Sequence, residues 1–195
     1  MVQQWWKGYL MTDSEQSVSA EKPAFTRESA LKLAAGGVLA GVSYLAAGFL
    51  PPDAFYLAYL VALAVVAYTD FRERRIPNRV IYPAILVALG AMFHFPGWGS
   101  ALLGGATAAL IFIVPVFIYG PERAGIGDVK LAFFIGLIFG FSLTLYWALL
   151  VGFGSAALVG LAGMLLRKMS RKSLLPFGSF LALGAIAFLI TQMMR

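Results

Sequence analysis

From Leu131 to Leu166 the chain runs without a single charged side chain. As one helix that run would be about 54 Å long at about 1.5 Å per residue, against about 30 Å of hydrocarbon in a bilayer. It is too long for one membrane crossing and suits two, with Gly140–Ser142 as the place to turn. A water-soluble fold of this size could not hide such a run. The 195 residues are 61% hydrophobic and 12% charged, where globular domains carry about 45–50% and about 25%. The solvent for most of this chain must be lipid.

Four further apolar runs precede it and one follows. They are Leu31–Leu50, Ala54–Thr69, Val80–Phe95, Ser100–Tyr119 and Leu175–Met194, with Pro51, Pro52 and Asp53 as the first turn. A helix needs about 20 apolar residues to cross, with about 17–25 tolerated, so the third and fifth helices are short. The expected fold is an all-α polytopic membrane protein with about seven transmembrane helices. Residues 1–30 are polar and mixed in charge, and they lack the basic-then-apolar order of a signal peptide. They read as a flexible cytoplasmic segment, with Trp5 and Trp6 as possible surface contacts and Met11 as an alternative start to Met1. Residues 31–195 then form one transmembrane domain.

Charge sets the orientation. Arg72, Arg74, Arg75 and Arg79 lie between runs two and three, Arg123 and Lys130 flank the next inner connection, and Arg167, Lys168, Arg171 and Lys172 precede the last run. The alternate connections carry Asp53 in one case and no formal charge around His94–Gly99 in the other. Basic residues in short loops mark the cytoplasmic side. Seven crossings put all three basic loops inside, with the N-terminus cytoplasmic and the C-terminus outside, whereas six would misplace one. The net charge of +6 therefore reports membrane topology and not nucleic-acid binding. With no cysteine and one histidine, thiolate metal sites, disulfides, a cysteine nucleophile and a multi-histidine metal site are excluded. No cofactor site is visible.

Two acidic residues stand out at one depth. Asp70 follows Val65–Thr69 and Asp128 precedes Leu131–Phe134, both near the cytoplasmic boundary, with Glu73 a weaker third. Ionisable groups there are costly unless paired or wetted. The bland reading is that each aspartate ends its helix and pairs with Arg72 or Lys130. The sharper one is a pair sharing a proton, one carboxylate activating water and the other polarising a peptide carbonyl. Gly125 and Gly127 before Asp128 are expected to allow positive φ and close approach of a substrate backbone. Asp70 would lie at the partially negative end of its helix and Asp128 at the partially positive start of its own. That ordering predicts Asp128 as the resting base and Asp70 as the resting acid.

Other residues carry two readings each. Pro77 and Asn78 shape the start of the third helix, Pro as a breaker and Asn as a cap, or Asn78 offers an amide to substrate. Lys130 steadies Asp128 or follows the positive-inside bias. The Arg72–Arg75 cluster serves topology and lipid headgroups, or meets an acidic residue of a substrate. His94 falls on the outer side, and the Trp and Tyr residues near span ends fit an aromatic belt.

Three segments in order carry a family resemblance. Asp70 with Arg72 and Arg75-Ile76-Pro77-Asn78 resembles the first active-site segment of type IV prepilin peptidases. Gly125-Ile126-Gly127-Asp128-Val129-Lys130-Leu131 resembles the Gly-X-Gly-Asp segment with that family's second aspartate, and Leu175-Pro176-Phe177-Gly178-Ser179-Phe180 resembles the start of its last helix. The resemblance covers roughly residues 54–190. It implies a membrane aspartyl endopeptidase of the inner (cytoplasmic) membrane that removes the basic leader of prepilins or pseudopilins of type IV pilus and type II secretion systems. Catalysis would rest on Asp70 and Asp128, an active-site loop on Gly125, Gly127 and Lys130, and substrate or structural contacts on Arg72, Pro77, Asn78, Pro176 and Gly178. Larger members carry a cysteine-containing cytoplasmic domain and methylate the product; here peptidase activity without methyl transfer is expected. The alternatives are a presenilin-like peptidase, which would show Pro-Ala-Leu where Leu175-Pro176-Phe177-Gly178 stands, and a transporter or assembly scaffold, which would place its aspartates nearer the midplane.

Overall fold

A computed structural model describes residues 27–119, 125–166 and 176–194. Among these residues there are seven helices: α1 (Arg27–Ala47), α2 (Pro52–Glu73), α3 (Asn78–Ala91), α4 (Trp98–Tyr119), α5 (Ile126–Phe139), α6 (Leu143–Leu165) and α7 (Phe177–Met193). The expected flexible N-terminal segment with Trp5 and Trp6, Arg123, and the Arg167–Lys172 cluster lie outside the described residues. The protein is all-helical and built for a membrane. Large apolar side chains face outward along its helices, among them Val38, Leu57, Val61, Leu110, Leu150 and Leu158.

Helices α1, α2, α4 and α6 are long and apolar enough to cross a bilayer. The remaining three are shorter: α3 and α5 have 14 residues each and α7 has 17. At about 1.5 Å per residue, α3 and α5 rise only about 21 Å. They are therefore shorter than the full hydrocarbon layer.

The boundaries differ from the apolar runs in instructive ways. The first turn is Gly48–Pro51, not Pro51–Asp53, because Pro52 takes the first helical position of α2, where its missing N–H costs nothing. Helix α2 extends past Thr69 to Glu73, and α5 begins at Ile126. Both aspartates thus lie inside helices, Asp70 in a last turn and Asp128 in a first. The break at Gly140–Ser142 falls where the uncharged run required one. Gly140 has φ 63° and Ser142 caps α6, its Oγ accepting from Leu145 N–H at 3.3 Å.

Compactness divides the chain after Ala35. The described part of the first unit is the start of α1, where Lys32 pairs with Glu28 at 3.4 Å on a solvent-exposed turn. The second unit, from Gly36 onward, holds the rest. Its centre is α5, whose residues Leu131, Ala132 and Phe134–Phe139 are buried. Helices α3, α4, α6 and α7 all pack on α5, while α2 packs on α3 and α7.

Lipid offers no hydrophobic drive for helices to associate, so close backbone contact between small residues must hold them. At the α4–α5 crossing, Gly104 and Gly136 lie backbone to backbone, and a methyl group at Gly136 would come within 2.6 Å of Gly105 Cα. At the α6–α7 crossing, Gly152 and Gly184 do the same, a methyl at Gly184 meeting Gly152 N at 2.8 Å. These two contacts flank α5 and α7, the helices that build the site described next.

Candidate active site

The C-terminal end of α2 and the N-terminal ends of α3, α5 and α7 gather at one end of the bundle. Helix α2 stops because Arg74 turns left-handed at φ 53°, its N–H donating to Asp70 O at 2.8 Å. The chain then crosses through Ile76 and Pro77 into α3. Ile76 packs between two helix starts: a methyl placed on Gly127 would lie 3.2 Å from its Cβ, and one placed on Gly178 would lie 3.0 Å from its Cδ1. One side chain therefore touches the starts of both α5 and α7, and glycine on each leaves the room for it.

Asp70 is 5% exposed. Its Oδ2 accepts hydrogen bonds from Ser179 N–H at 2.6 Å and from Ser179 Oγ at 3.0 Å, and Ser179 Oγ also lies 2.9 Å from Ala67 O. Ser179 is in the first turn of α7, where backbone N–H groups lack partners within the helix. Its N-cap, Pro176, supplies no side-chain bond. The Asp70 carboxyl therefore fills the capping role for α7 from another helix. Phe177, one residue into α7, is held between Phe112 of α4 and Phe153 of α6 at ring distances of 5.8 and 5.5 Å. That clamp fixes the end of α7 against Asp70.

Asp128, half-buried in the first turn of α5, lies within electrostatic reach of Asp70. The two carboxyls that the sequence singled out are thus delivered to one place by α2 and α5. Gly125 makes room for Asp128, since a methyl there would come 3.1 Å from its Oδ2.

Several expectations change. Among the described residues neither aspartate forms an ion pair, and the only salt bridge is Lys32–Glu28. Lys130 does not bond Asp128. Its Nζ donates to Asn78 Oδ1 at 3.0 Å and lies 4.7 Å above the Tyr82 ring. Asn78 does not cap α3 either, because it is the first helical residue behind the N-cap Pro77, and its amide is engaged by Lys130 across to α5. Arg72 is exposed and turned back along α2, with Nη1 3.4 Å from Tyr68 OH. Gly125 has φ −63°, and Gly127 is inside α5, so neither uses positive φ. Their missing side chains matter for space alone.

The helix-end argument for the resting proton also changes. It counted only the helix each aspartate belongs to. In the folded protein Asp70 sits at the positive start of α7, a partner no single-helix argument could supply. Ser179 and Ile76 were not singled out as site residues. Both stand inside the segments that carry the family resemblance, Ser179 as a hydroxyl residue three positions after Pro176 and Ile76 beside Pro77, but neither was given a role. His94 lies against Tyr44, ring centroids 5.1 Å apart, beyond the far end of α3. Among the described residues no cluster suits a metal ion.

The fit around Gly178 gives a direct prediction. A methyl there would come 3.1 Å from both Asp70 Cγ and Oδ2, tight enough to displace the carboxyl by a few tenths of an ångström. Gly178→Ala is expected to slow turnover about tenfold through that misplacement, with a melting temperature close to wild type. An unchanged rate would show that Asp70 position tolerates the shift.

The profile of the type IV leader peptidase family matches residues 57–161, more than half of the chain, from α2 to α6. A prepilin leader peptidase/N-methyltransferase from Bacillus subtilis (strain 168) is 29% identical over 174 residues, covering 87% of this chain. The chain spans 65% of that relative's length. No solved structure matches the chain.

Proposed function

Because the chain belongs to the type IV leader peptidase family, we propose that it is a membrane aspartyl endopeptidase that removes leader peptides from prepilins or pseudopilins. The observation that supports this most is that α2 and α5 bring Asp70 and Asp128 within electrostatic reach of each other, with neither paired to a cation among the described residues. Two close carboxyls do not both ionise readily, so the pair shares one proton. Asp70 Oδ2 already accepts from Ser179, which leaves Asp70 as the base and puts the proton on Asp128. Water attacks the scissile carbonyl and loses a proton to Asp70, while Asp128 gives its proton to the carbonyl oxygen. Collapse of the resulting tetrahedral carbon transfers a proton to the leaving amine and frees both products.

The site lies at the end of the bundle that carries Arg72, Arg74, Arg75 and Arg79, the arginine-rich connection that marks a cytoplasmic side. The proposed setting is therefore the inner membrane, with cleavage at the cytoplasmic face. Methyl transfer to the new N-terminus is not part of the proposal. The chain in liposomes, given a prepilin-like protein with a short basic leader ahead of an apolar helix, should release the leader by one cut before that helix. Mass spectrometry of the product reads both the cut and any added methyl group. Intact substrate after long incubation with well-inserted enzyme would overturn the proposal.

A further inference from the structure

We infer that Ser179 is a positioning residue that keeps Asp70 as the ionised member of the pair at rest and holds it in place when it takes up the proton. The inference deepens the peptidase reading and rests on it for the role of Asp70. Its basis is the geometry at a single oxygen. Ser179 brings two donors to Asp70 Oδ2, the N–H at 2.6 Å and the hydroxyl at 3.0 Å, inside a contact where both residues are at most 5% exposed. The first distance is at the short end for a bond to an ionised acceptor. With Oδ2 occupied, Oδ1 is the oxygen left to receive a proton from water.

The hydroxyl has one hydrogen and two acceptors in reach, Asp70 Oδ2 at 3.0 Å and Ala67 O at 2.9 Å. With Asp70 ionised, the hydrogen is best given to the carboxylate. Once Asp70 is protonated, the hydroxyl can turn to Ala67 O, one helical turn earlier on α2, and keep a hydrogen bond throughout. No side chain has to move. Ser179 thus serves both protonation states of Asp70 and favours the charged one.

Among the described residues, the other charged groups leave this balance to Ser179. From α5 the group facing it is Asp128, while Lys130 is turned to Asn78. On its own helix Arg72 is turned to Tyr68, and Glu73, Arg74 and Arg75 are exposed. Arg79 at the start of α3 lines a groove with Val65 and Val80. Helix α7 carries no charge from Phe177 to Met193.

Two measurements test the inference. In the first, infrared titration of the full chain in liposomes follows the protonated-carboxyl C=O band and needs no substrate. At neutral pH that band should be present in wild type, persist in Asp70→Asn and vanish in Asp128→Asn. In the second, the pH dependence of kcat/KM is compared for wild type, Ser179→Cys and Ser179→Ala. Removing a donor from the carboxylate makes ionisation harder, so the acid limb should move to higher pH. A shift of about one unit, tenfold in the ionisation equilibrium, is expected for Ser179→Ala. Ser179→Cys, with its weak S–H donor, should fall between. A merely structural serine would lower kcat without moving the limb. Superimposable profiles, or a neutral-pH band lost in Asp70→Asn and kept in Asp128→Asn, would overturn the inference. A wild type that cuts no prepilin would remove the peptidase reading, and the infrared pattern would still decide where the proton resides.

Discussion

Asp70→Asn and Asp128→Asn are each expected to slow leader cleavage about 10³-fold or more, and the double variant is expected to be no slower than either alone. A positioned acid or base contributes roughly 10²–10⁴-fold. Here one proton is shared, so either substitution disables the same step, and groups that act as a unit are strongly non-additive. Asparagine keeps the shape at both positions. Asp70→Asn still presents a carbonyl oxygen to Ser179 N–H, so α7 retains its cap and the protein should insert and melt like wild type. Rates on a co-expressed or reconstituted prepilin-like substrate, with insertion checked for each variant, give the answer. If either single variant cuts at the wild-type rate, the aspartyl pair is wrong.

The largest expected effect on stability lies away from the carboxyls. Gly136→Ala adds one methyl group, yet that methyl would run into Gly104 O and lie 2.6 Å from Gly105 Cα. No flexible side chain is there to yield, since the obstacle is the backbone of α4. The two helices must separate along the contact that holds them, at a cost of about 3 kcal/mol or more. Gly154→Ala is the matched control. A methyl there meets nothing within 4 Å, so the helix propensity of alanine should stabilise α6 by up to about 1 kcal/mol. The same substitution thus acts with opposite sign at two helical glycines, and unfolding of both variants in mild detergent measures it. Equal stabilities would mean the α4–α5 contact is looser than it stands here.

The two pairs of variants probe different readings of the sequence. Asp70 and Asp128 were visible as carboxyls at the ends of apolar runs, because charge next to hydrocarbon is expensive and therefore rare. Gly136 was one of 21 glycines, and nothing in its local pattern distinguished it from Gly154. Which glycine is irreplaceable depends on which helix crosses it, and crossing is a property of the assembled bundle.

What the sequence by itself determined was solvent, element type and which carboxyls to look at. Lipid follows from 61% hydrophobic residues with 12% charged, and helices follow from lipid, because every backbone group must be satisfied within its own segment. The break within the run Leu131–Leu166 followed from bilayer thickness alone. The tertiary structure decided the rest, because it depends on contacts between distant segments. Lys130 looked like a partner for Asp128 from two positions away, yet the fold turns it to Asn78. Asp70 looked like the end of α2 and proved to be the cap of α7, 109 positions further along the chain. That last contact is what the helix-end argument left out, and on it rests the proposed order, with Asp70 as base and the proton on Asp128. A helix dipole can be read from one helix, but the field at a carboxyl is the sum over every helix end that reaches it.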